Sequence, residues 1–267
     1  IGVHSGVIDG AVLGPGFELD VLVTPVLALE RYADETGDLS VFEVPDVRRG
    51  IEEILRKLDA VRAEGCELYE TFLQPTDDER VYPYLTYDNV LVWRALRALG
   101  RLLGREELML RAEAVRRAIY ENCVFDGMFA WSVDLQGGHD VYDEPPGSLL
   151  LLPYYGFCAA DDPLYLKTAE AIRSPDYAYS FAGCEIAEIG CPHAPHPWLL
   201  SIVNSLLCGR SEQALEHLRR AKLDNGIACE SVDEHTGECA TGEAFATCAG
   251  FICHALRSAL GGERNAD

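Results

Sequence analysis

Apolar residues recur every three or four positions along most of the chain, which is the spacing of one face of an α-helix. In the first such stretch Leu22, Val26, Leu29 and Ala33 share a face, and Gly37 is a residue type that commonly ends helices. The same pattern recurs along the chain and predicts nine helices. They occupy about 16–37, 46–65, 87–99, 106–123, 147–152, 162–174, 198–208, 211–224 and 242–260, and the fifth starts after Pro145-Pro146 with residues 149–152 as its apolar body.

Two polar residues are the predicted N-caps of these helices. Asp46 precedes the second helix and Ser211 the eighth, and both residue types accept hydrogen bonds from free N–H groups at a helix start. A short strand or hairpin is predicted at residues 127–134. The long loops, unlike the short ones, carry acidic and aromatic residues. They are residues 68–86, 127–145, 176–197 and 226–242.

This alternation of helices with short and long loops is typical of an array of helical hairpins. If the hairpins pack in a ring, alternate connections fall on the same end, so the four long loops are expected to gather there. No linker or low-complexity segment divides the sequence. We therefore predict an all-α fold with one domain over residues 1–267, a length that can bury one large core.

The composition narrows the classes of partner. The formal net charge of −22 disfavours binding to nucleic acid and to anionic membranes. Such a charge fits either adaptation to high salt or an ordinary acidic protein. There are 10 cysteines but no Cys-x-x-Cys pair, which argues against a zinc ribbon. A disulfide within or between the loops holding Cys184, Cys191, Cys229 and Cys239 stays open beside free core thiols.

No apolar run reaches the roughly 18 residues that a membrane span needs. The longest, residues 148–157, is interrupted by Pro153. The first residues show no basic segment followed by an apolar core, so we expect no signal peptide and no membrane partner. A cytoplasmic location is the resulting expectation.

Two adjacent acids, Asp77 and Asp78, follow Pro75 in the segment QPTDDERVYPYLTYDN, which also contains Tyr82 and Tyr84. A carboxylic acid that protonates a leaving group needs a raised pKa. A neighbouring carboxylate and aromatic walls both act in that direction. The alternative is a solvated turn in which the carboxylates bond to nearby backbone N–H groups.

The segment HDVYDEPPGSL holds Asp143 and Glu144 just before two prolines. They are candidate contacts for a polar substrate. Acids at this position also suit the positive end of a helix dipole, so a purely structural role is the alternative.

A third loop, AEIGCPHAPHPW, contains Glu188, His193, His196 and Trp198. The histidines lack the spacing of a metal site, so we expect hydrogen bonds to a polar ligand, or simple loop structure, rather than a metal. The indole of Trp198 is suited to stacking on the apolar face of a sugar ring.

The fourth loop, GIACESVDEHTGECATGEAF, contains five acids. Asp233, Glu234 and Glu238 fit a solvated surface. Glu230 differs from them because it directly follows the apolar run Ile227–Cys229, and it is the candidate base of this loop.

Taken together, these segments resemble the six-hairpin, (α/α)6-toroid glycoside hydrolases. They are most similar to the metal-independent exo-α-mannosidases of glycoside hydrolase family 125. QPTDDERVYPYLTYDN stands where that family has Arg-Pro-Ser-Asp-Asp followed by Pro-Phe-Leu. PGSLLLLPYYGF, DPLYLKTAEAIRSPDYAYSFAG, AEIGCPHAPHPW and CESVDEHTG follow in the family's order.

The resemblance implies an exo-acting, inverting hydrolase of α-linked oligosaccharides that uses no cofactor or metal. The general acid would be Asp77 or Asp78 and the base Glu230. In inverting enzymes the two carboxyl groups lie roughly 6.5–9.5 Å apart, which leaves room for water. Tyr82 and Tyr84 would contact the sugar. The further contacts implied are Asp143, Glu144, Glu188, His193 and Trp198.

Several positions depart from the family pattern. Gln74 stands in place of its arginine and Cys229 in place of its histidine, while ATGEAFATCAGF replaces a segment with an arginine and two tryptophans. Nine helices also fall short of the twelve in a full ring. Either three helices lie upstream, or the ring is incomplete and its exposed apolar faces favour self-association.

These departures keep other functions open. One alternative is a non-catalytic sugar-binding or regulatory member of the toroid group. Another is a phosphorylase or lyase on the same fold, although the loops are poor in the basic residues that a phosphorylase needs.

Overall fold

The computed structural model describes residues 2, 4–5, 12–14, 16–224 and 226–261. The chain divides into two compact units, a first unit of residues 1–141 and a second unit of residues 142–267. The single domain over 1–267 stays a prediction. The described residues form eight α-helices. They are α1 (Leu19–Thr36), α2 (Pro45–Ala60), α3 (Thr86–Leu103), α4 (Glu106–Asn122), α5 (Pro163–Arg173), α6 (Leu199–Leu207), α7 (Ser211–Arg220) and α8 (Ala246–Gly261).

The strands of the described residues are short. They are β1 (His4–Ser5), β2 (Val12–Gly14), β3 (Tyr84–Leu85), β4 (Val124–Phe125), β5 (Met128–Phe129), β6 (Ser132–Val133), β7 (Ser231–Val232) and β8 (Cys239–Thr241). They pair antiparallel in twos: β1 with β2, β3 with β6, β4 with β5, and β7 with β8. The short strand or hairpin predicted at 127–134 appears as two strands, β5 and β6, which pair with β4 and β3 and not with each other.

In the first unit α3 packs against both α1 and α4. It is buried on most of its surface, with Trp93 and Leu96 among its fully buried side chains. Within residues 86–100 of α3 only Arg94 and Arg97 are not buried, so this helix forms the centre of the unit's core. Glu30 of α1 is buried and is neutralised from α3, because its carboxylate pairs with Arg94 at 2.9 Å and Arg101 at 3.1 Å.

In the second unit α6 is the central helix and packs against α7 and α8. Its residues Leu199–Leu206 are all buried. They meet Ala214 of α7 together with Cys248 and Ala255 of α8 in one apolar cluster. The loop before α6 holds Glu188 and His193, and the segment between α7 and α8 holds Glu230.

Helix boundaries follow the local chemistry more closely than the apolar pattern does. α1 ends as predicted at Gly37, which takes the left-handed conformation with φ 70°. The predicted N-cap roles of Asp46 and Ser211 are wrong. Helix α2 starts at Pro45, so Asp46 lies inside its first turn, and Ser211 is already the first helical residue of α7.

The predicted fifth helix is instead two 3-10 turns, Pro145–Gly147 and Leu149–Leu151. The prolines have no N–H to continue a helix. Ser148 between the turns is extended, and its hydroxyl accepts from Leu150 N. The last helix begins at Ala246, later than predicted, since Gly242 and Ala244 have positive φ angles.

None of the helices in the described residues is both long and apolar enough to cross a membrane. All ten cysteines are free thiols, including Cys184, Cys191, Cys229 and Cys239. The disulfide alternative is therefore not realised in this structure.

Candidate active site

Asp77 and Asp78 lie at the tip of a tight turn in the first unit. Leu73 and Glu79 pair antiparallel on either side of it. Asp77 N donates to Gln74 O at 2.9 Å, and Gln74 N donates to Asp78 O at 2.9 Å. Asp77 has φ 65°, a left-handed conformation that Asp tolerates better than most residues. Asp77 is exposed and Asp78 half-buried.

Buried residues of the first unit anchor this turn. Gln74 and Thr76 are buried, and Gln74 Oε1 accepts from the indole Nε1–H of Trp131 at 3.4 Å. The hydroxyl of Thr71 donates to Leu73 O at 2.6 Å and accepts from Leu19 N at 3.1 Å. The turn that carries the two aspartates is thus fixed to the core of the first unit, and Gln74 serves that anchoring.

Tyr82 and Tyr84 follow the turn and are half-buried. Tyr84 belongs to β3 and lies opposite Val133 of β6. Burial, together with the charge of Glu70, raises the pKa of Tyr84. Both tyrosines thus lie in the same unit as the two aspartates and remain partly accessible, as sugar contacts require.

Glu230 directly precedes β7 in the second unit, and the β7–β8 hairpin holds its backbone. Glu230 N donates to Thr241 O at 3.2 Å and to Gly242 O at 3.1 Å, while Glu230 O accepts from Leu199 N at 3.0 Å. A Cβ on Gly242 would lie 2.6 Å from the Cβ of Glu230. The close approach of the two strands therefore depends on glycine at this position, whose φ is 58°.

The Glu230 carboxylate is held on one side and accessible on the other. Its Oε2 accepts from the hydroxyl of Thr241 at 2.6 Å, and the hydroxyls of Thr241 and Ser231 are 2.5 Å apart. Its Oε1 lies 3.9 Å from His193 Nε2. The side chain is 14% exposed and that of His193 38%. A carboxylate oriented by one donor and still reachable can accept a proton from water.

The loop 176–197 meets the Glu230 hairpin, as the sequence predicted for these two loops. Trp198 pairs with Ser231 in an antiparallel bridge, and His196 Nδ1 lies 3.1 Å from Glu234 Oε2. The indole of Trp198 is only 2% exposed and donates to Ala194 O at 3.0 Å. The side chains of His193 and His196, by contrast, are accessible, and His193 is the one near Glu230. Stacking of a sugar on Trp198 stays a prediction that its burial does not favour.

Asp143 and Glu144 are fully buried. Asp143 accepts from the hydroxyl of Ser148 and from Leu149 N, both at 2.7 Å, so it caps the second 3-10 turn. Burial raises the pKa of Asp143 to about 7. Glu144 accepts from the Tyr142 hydroxyl at 3.1 Å. These bonds fit the structural alternative, and contact of these acids with a substrate stays untested.

Glu188 is also buried and belongs to an internal network. Its Oε2 accepts from Ser201 at 2.8 Å and from Ser205 at 3.0 Å, and its Oε1 lies 2.9 Å from His217 Nδ1. These three partners occupy both oxygens. Contact with a substrate stays a prediction for this residue.

Sequence reasoning missed Thr241 and Gly242, the residues that position Glu230. Both stand in the segment ATGEAFATCAGF, which was noted for departing from the family pattern. No group of three or more His, Cys, Asp or Glu with suitable positions occurs in the described part of the chain.

Residues 59–256, about three quarters of the chain, match the sequence model of the metal-independent alpha-mannosidases (GH125). The chain belongs to this family. The matched range contains Asp77, Asp78 and Glu230 as well as the two loops of the second unit that meet at Glu230.

Solved structures show the same fold. A metal-independent α-mannosidase of Streptococcus pneumoniae, in a non-productive complex with α-1,6-mannobiose, superposes with a TM-score of 0.84 at 20% identity. The match covers 97% of this chain and 72% of that one. A glycosidase variant in complex with glucose gives 0.67 at 18% identity over 95% of this chain and 70% of that one. The predicted (α/α)-toroid class is confirmed.

Two curated relatives match this chain over a smaller share of its length and of their own. The meiotically up-regulated gene 157 protein of Schizosaccharomyces pombe is 27% identical over 63% of this chain and 37% of its own length. Trehalase 1 of Sulfolobus acidocaldarius is 27% identical over 58% of this chain and 28% of its own length. The chain therefore spans roughly a third of the length of these relatives.

Proposed function

We propose that this chain is an exo-acting, inverting glycoside hydrolase that cleaves α-mannosides without a cofactor. The observation that carries the proposal is the setting of Glu230, which is fixed by Thr241, flanked by His193 and still accessible. Membership of the metal-independent α-mannosidase family supports the substrate class. The complex of a related structure with α-1,6-mannobiose supports a terminal α-mannosyl unit as the group cleaved.

In the proposed reaction Glu230 takes a proton from a water molecule as that water attacks the anomeric carbon. Asp77 or Asp78 gives its proton to the glycosidic oxygen as the bond to the leaving sugar breaks. One water is consumed, and the configuration at the anomeric carbon inverts. Tyr82, Tyr84 and His193 are the proposed sugar contacts. That the loop of the first unit faces Glu230 is part of the proposal, and so is the predicted cytoplasmic location.

Leaving-group dependence identifies the acid. A dinitrophenyl α-mannoside needs little protonation on departure, whereas α-1,6-mannobiose needs full protonation. Loss of the acid should therefore slow the disaccharide about 10²–10⁴-fold and the aryl substrate far less. We expect this pattern for either Asp77→Asn or Asp78→Asn, and near-wild-type rates for the exposed control Asp161→Asn.

Two results would contradict the proposed function. One is that wild-type protein releases no mannose from either substrate. The other is that both aspartate variants hydrolyse the disaccharide at the wild-type rate. Trehalose is the contrasting substrate, since one relative is a trehalase, and we expect it to be cleaved poorly.

A second candidate is sugar binding without hydrolysis. The observation that favours it is the use of Gln74, at the position of the family's arginine, as a buried anchor bonded to Trp131. Calorimetric binding of α-1,6-mannobiose by wild-type protein, with no mannose released over hours, would select this candidate instead.

A further inference from the structure

A small cavity inside the second unit lies apart from the residues discussed as catalytic. Its volume is about 140 Å³, and its lining includes Arg173 at the end of α5 and Arg210 just before α7, with Ser180 and Gln213. A water molecule takes about 30 Å³ in the liquid, so the space suits four or five heavy atoms. Sulfate and phosphate have five.

Arg173 brings donors into this region that the protein itself does not use. Its Nε and Nη2 atoms are buried and have no hydrogen-bond partner among the described residues. Buried polar groups are nearly always paired, because leaving a charged one without partners is costly. The two free N–H directions of a guanidinium match the paired oxygens of an oxyanion.

The other polar groups in the lining are also able to donate. Arg210 Nη2 donates to Gln213 Oε1, which leaves the amide N–H groups of Gln213 free to donate elsewhere. The Ser180 hydroxyl oxygen accepts from Ala182 N at 3.2 Å, so its own proton is available. A lining rich in donors favours an anion over a cation or a neutral apolar molecule.

Two buried acids offset part of this positive charge. Glu188 also lines the cavity and its charge acts on Arg210, although its oxygens already accept from Ser201 and Ser205 and contact His217, so they are not free to bind the guanidinium groups. Asp143 feels the charge of Arg173, yet its pKa of about 7 leaves it partly protonated at neutral pH. Burial and the charge of Arg173 lower the pKa of Arg210, which shows that the two cations repel each other.

We propose that Arg173 and Arg210 bind a small tetrahedral oxyanion of the phosphate or sulfate class in this cavity. Arg173 binds two of its oxygens through Nε and Nη2. Arg210 and Gln213 line both this cavity and a second, larger one of about 830 Å³. They bind the anion from the side of that larger cavity. That larger cavity is the route of entry. The bound anion joins α5 to α7 and stabilises the folded second unit.

The test is thermal unfolding of the full chain in sodium phosphate, sodium sulfate and sodium chloride at one fixed ionic strength. Fixing the ionic strength matters because a net charge of −22 makes the protein sensitive to salt in general. We expect phosphate and sulfate to raise the melting temperature in a saturable way and chloride to do so far less.

Three variants locate the effect. Arg173→Met and Arg210→Gln should weaken phosphate binding at least tenfold in calorimetric titration, and Arg210→Lys should give an intermediate loss because it keeps charge without the planar fork. The matched control is Arg219→Gln. Arg219 is 73% exposed and lines only the larger cavity, so this variant should bind like wild type.

The proposal is overturned if chloride matches phosphate at equal ionic strength, or if Arg210→Gln binds phosphate as tightly as wild type. Near-ultraviolet circular dichroism checks that each variant is folded. If Arg173→Met does not fold, the two Arg210 variants and their control decide the question. None of these measurements uses glycosidase activity, so the outcome is independent of the proposed function.

Discussion

Glu230 and Glu188 belong to the same unit, and the sequence makes both acidic candidates, Glu230 as the base and Glu188 as a sugar contact, but their environments differ. The side chain of Glu188 is 4% exposed and has three partners on its two oxygens. That of Glu230 is 14% exposed, with Thr241 on one oxygen and His193 near the other. Acidity in a loop therefore does not separate an accessible carboxylate from one held in a buried network. The number and direction of the donors around it do.

The largest expected effect is on activity at Glu230. Glu230→Gln should reduce kcat/KM for α-mannosides by about 10³-fold, since an amide cannot take the proton from water. Its unfolding free energy should stay close to that of wild type. The exposed control Glu113→Gln on α4 should change neither quantity. Wild-type activity in Glu230→Gln would remove the contrast between the two glutamates.

The next largest effect is the pH dependence of the unfolding free energy that Asp143 causes. Its folded pKa of about 7 lies above the ordinary value near 3.9, so the folded state holds a proton that the unfolded state releases. Stability from this group is therefore full below pH 4 and is lost as pH rises to 7, by about 4 kcal/mol.

Urea unfolding at several pH values checks this prediction. Asp143→Asn should flatten the decline between pH 4 and pH 7, because Asn has no proton to lose. The same slope in variant and wild type would show that Asp143 ionises in the folded protein as an exposed carboxyl does.

Glu188→Gln should lower the unfolding free energy by about 3 kcal/mol, because it removes the charge from a buried network that includes His217. The activity of the protein that remains folded should be unchanged. Denaturant titration followed by an assay at low denaturant separates the two. A strong loss of kcat in folded Glu188→Gln would instead place this residue with Glu230.

The smallest effect is expected at Thr241. Thr241→Val keeps the shape of the side chain but removes the hydroxyl that bonds to Glu230. We expect kcat to fall about tenfold, a rise of about 1.4 kcal/mol in the activation free energy, with KM nearly unchanged. Thr241→Ser retains the donor and should restore most of the rate. Equal rates for the Val and Ser variants would show that this hydrogen bond does not position the base.

Much of the fold followed from the sequence because helical periodicity and glycine stops are local signals. The end of α1 at Gly37 is one example. After Pro145-Pro146 the sequence predicts one helix, whereas the structure has two 3-10 turns in residues 145–151. Apolar content alone does not reveal that Ser148 between them is extended. Short apolar runs beside prolines give no period long enough to test.

The candidate site is likewise only partly predictable from the sequence. The position of Glu230 after an apolar run was visible in the sequence. The hydrogen bond that its carboxylate accepts from Thr241 is not visible there. The two residues are eleven positions apart, and their contact depends on the register in which β7 pairs with β8. The burial of Trp198 and Glu188 likewise depends on how their loop packs against α6, which no local pattern encodes.

The most direct measurement is the anomeric form of the first product. Proton nuclear magnetic resonance spectra taken within minutes of adding wild-type protein to an aryl α-mannoside resolve α- and β-mannose before they interconvert. We predict that β-mannose appears first, because in the proposed reaction Glu230 directs water to the face opposite the leaving group. If α-mannose appears first, Glu230 does not act as the base of an inverting hydrolysis.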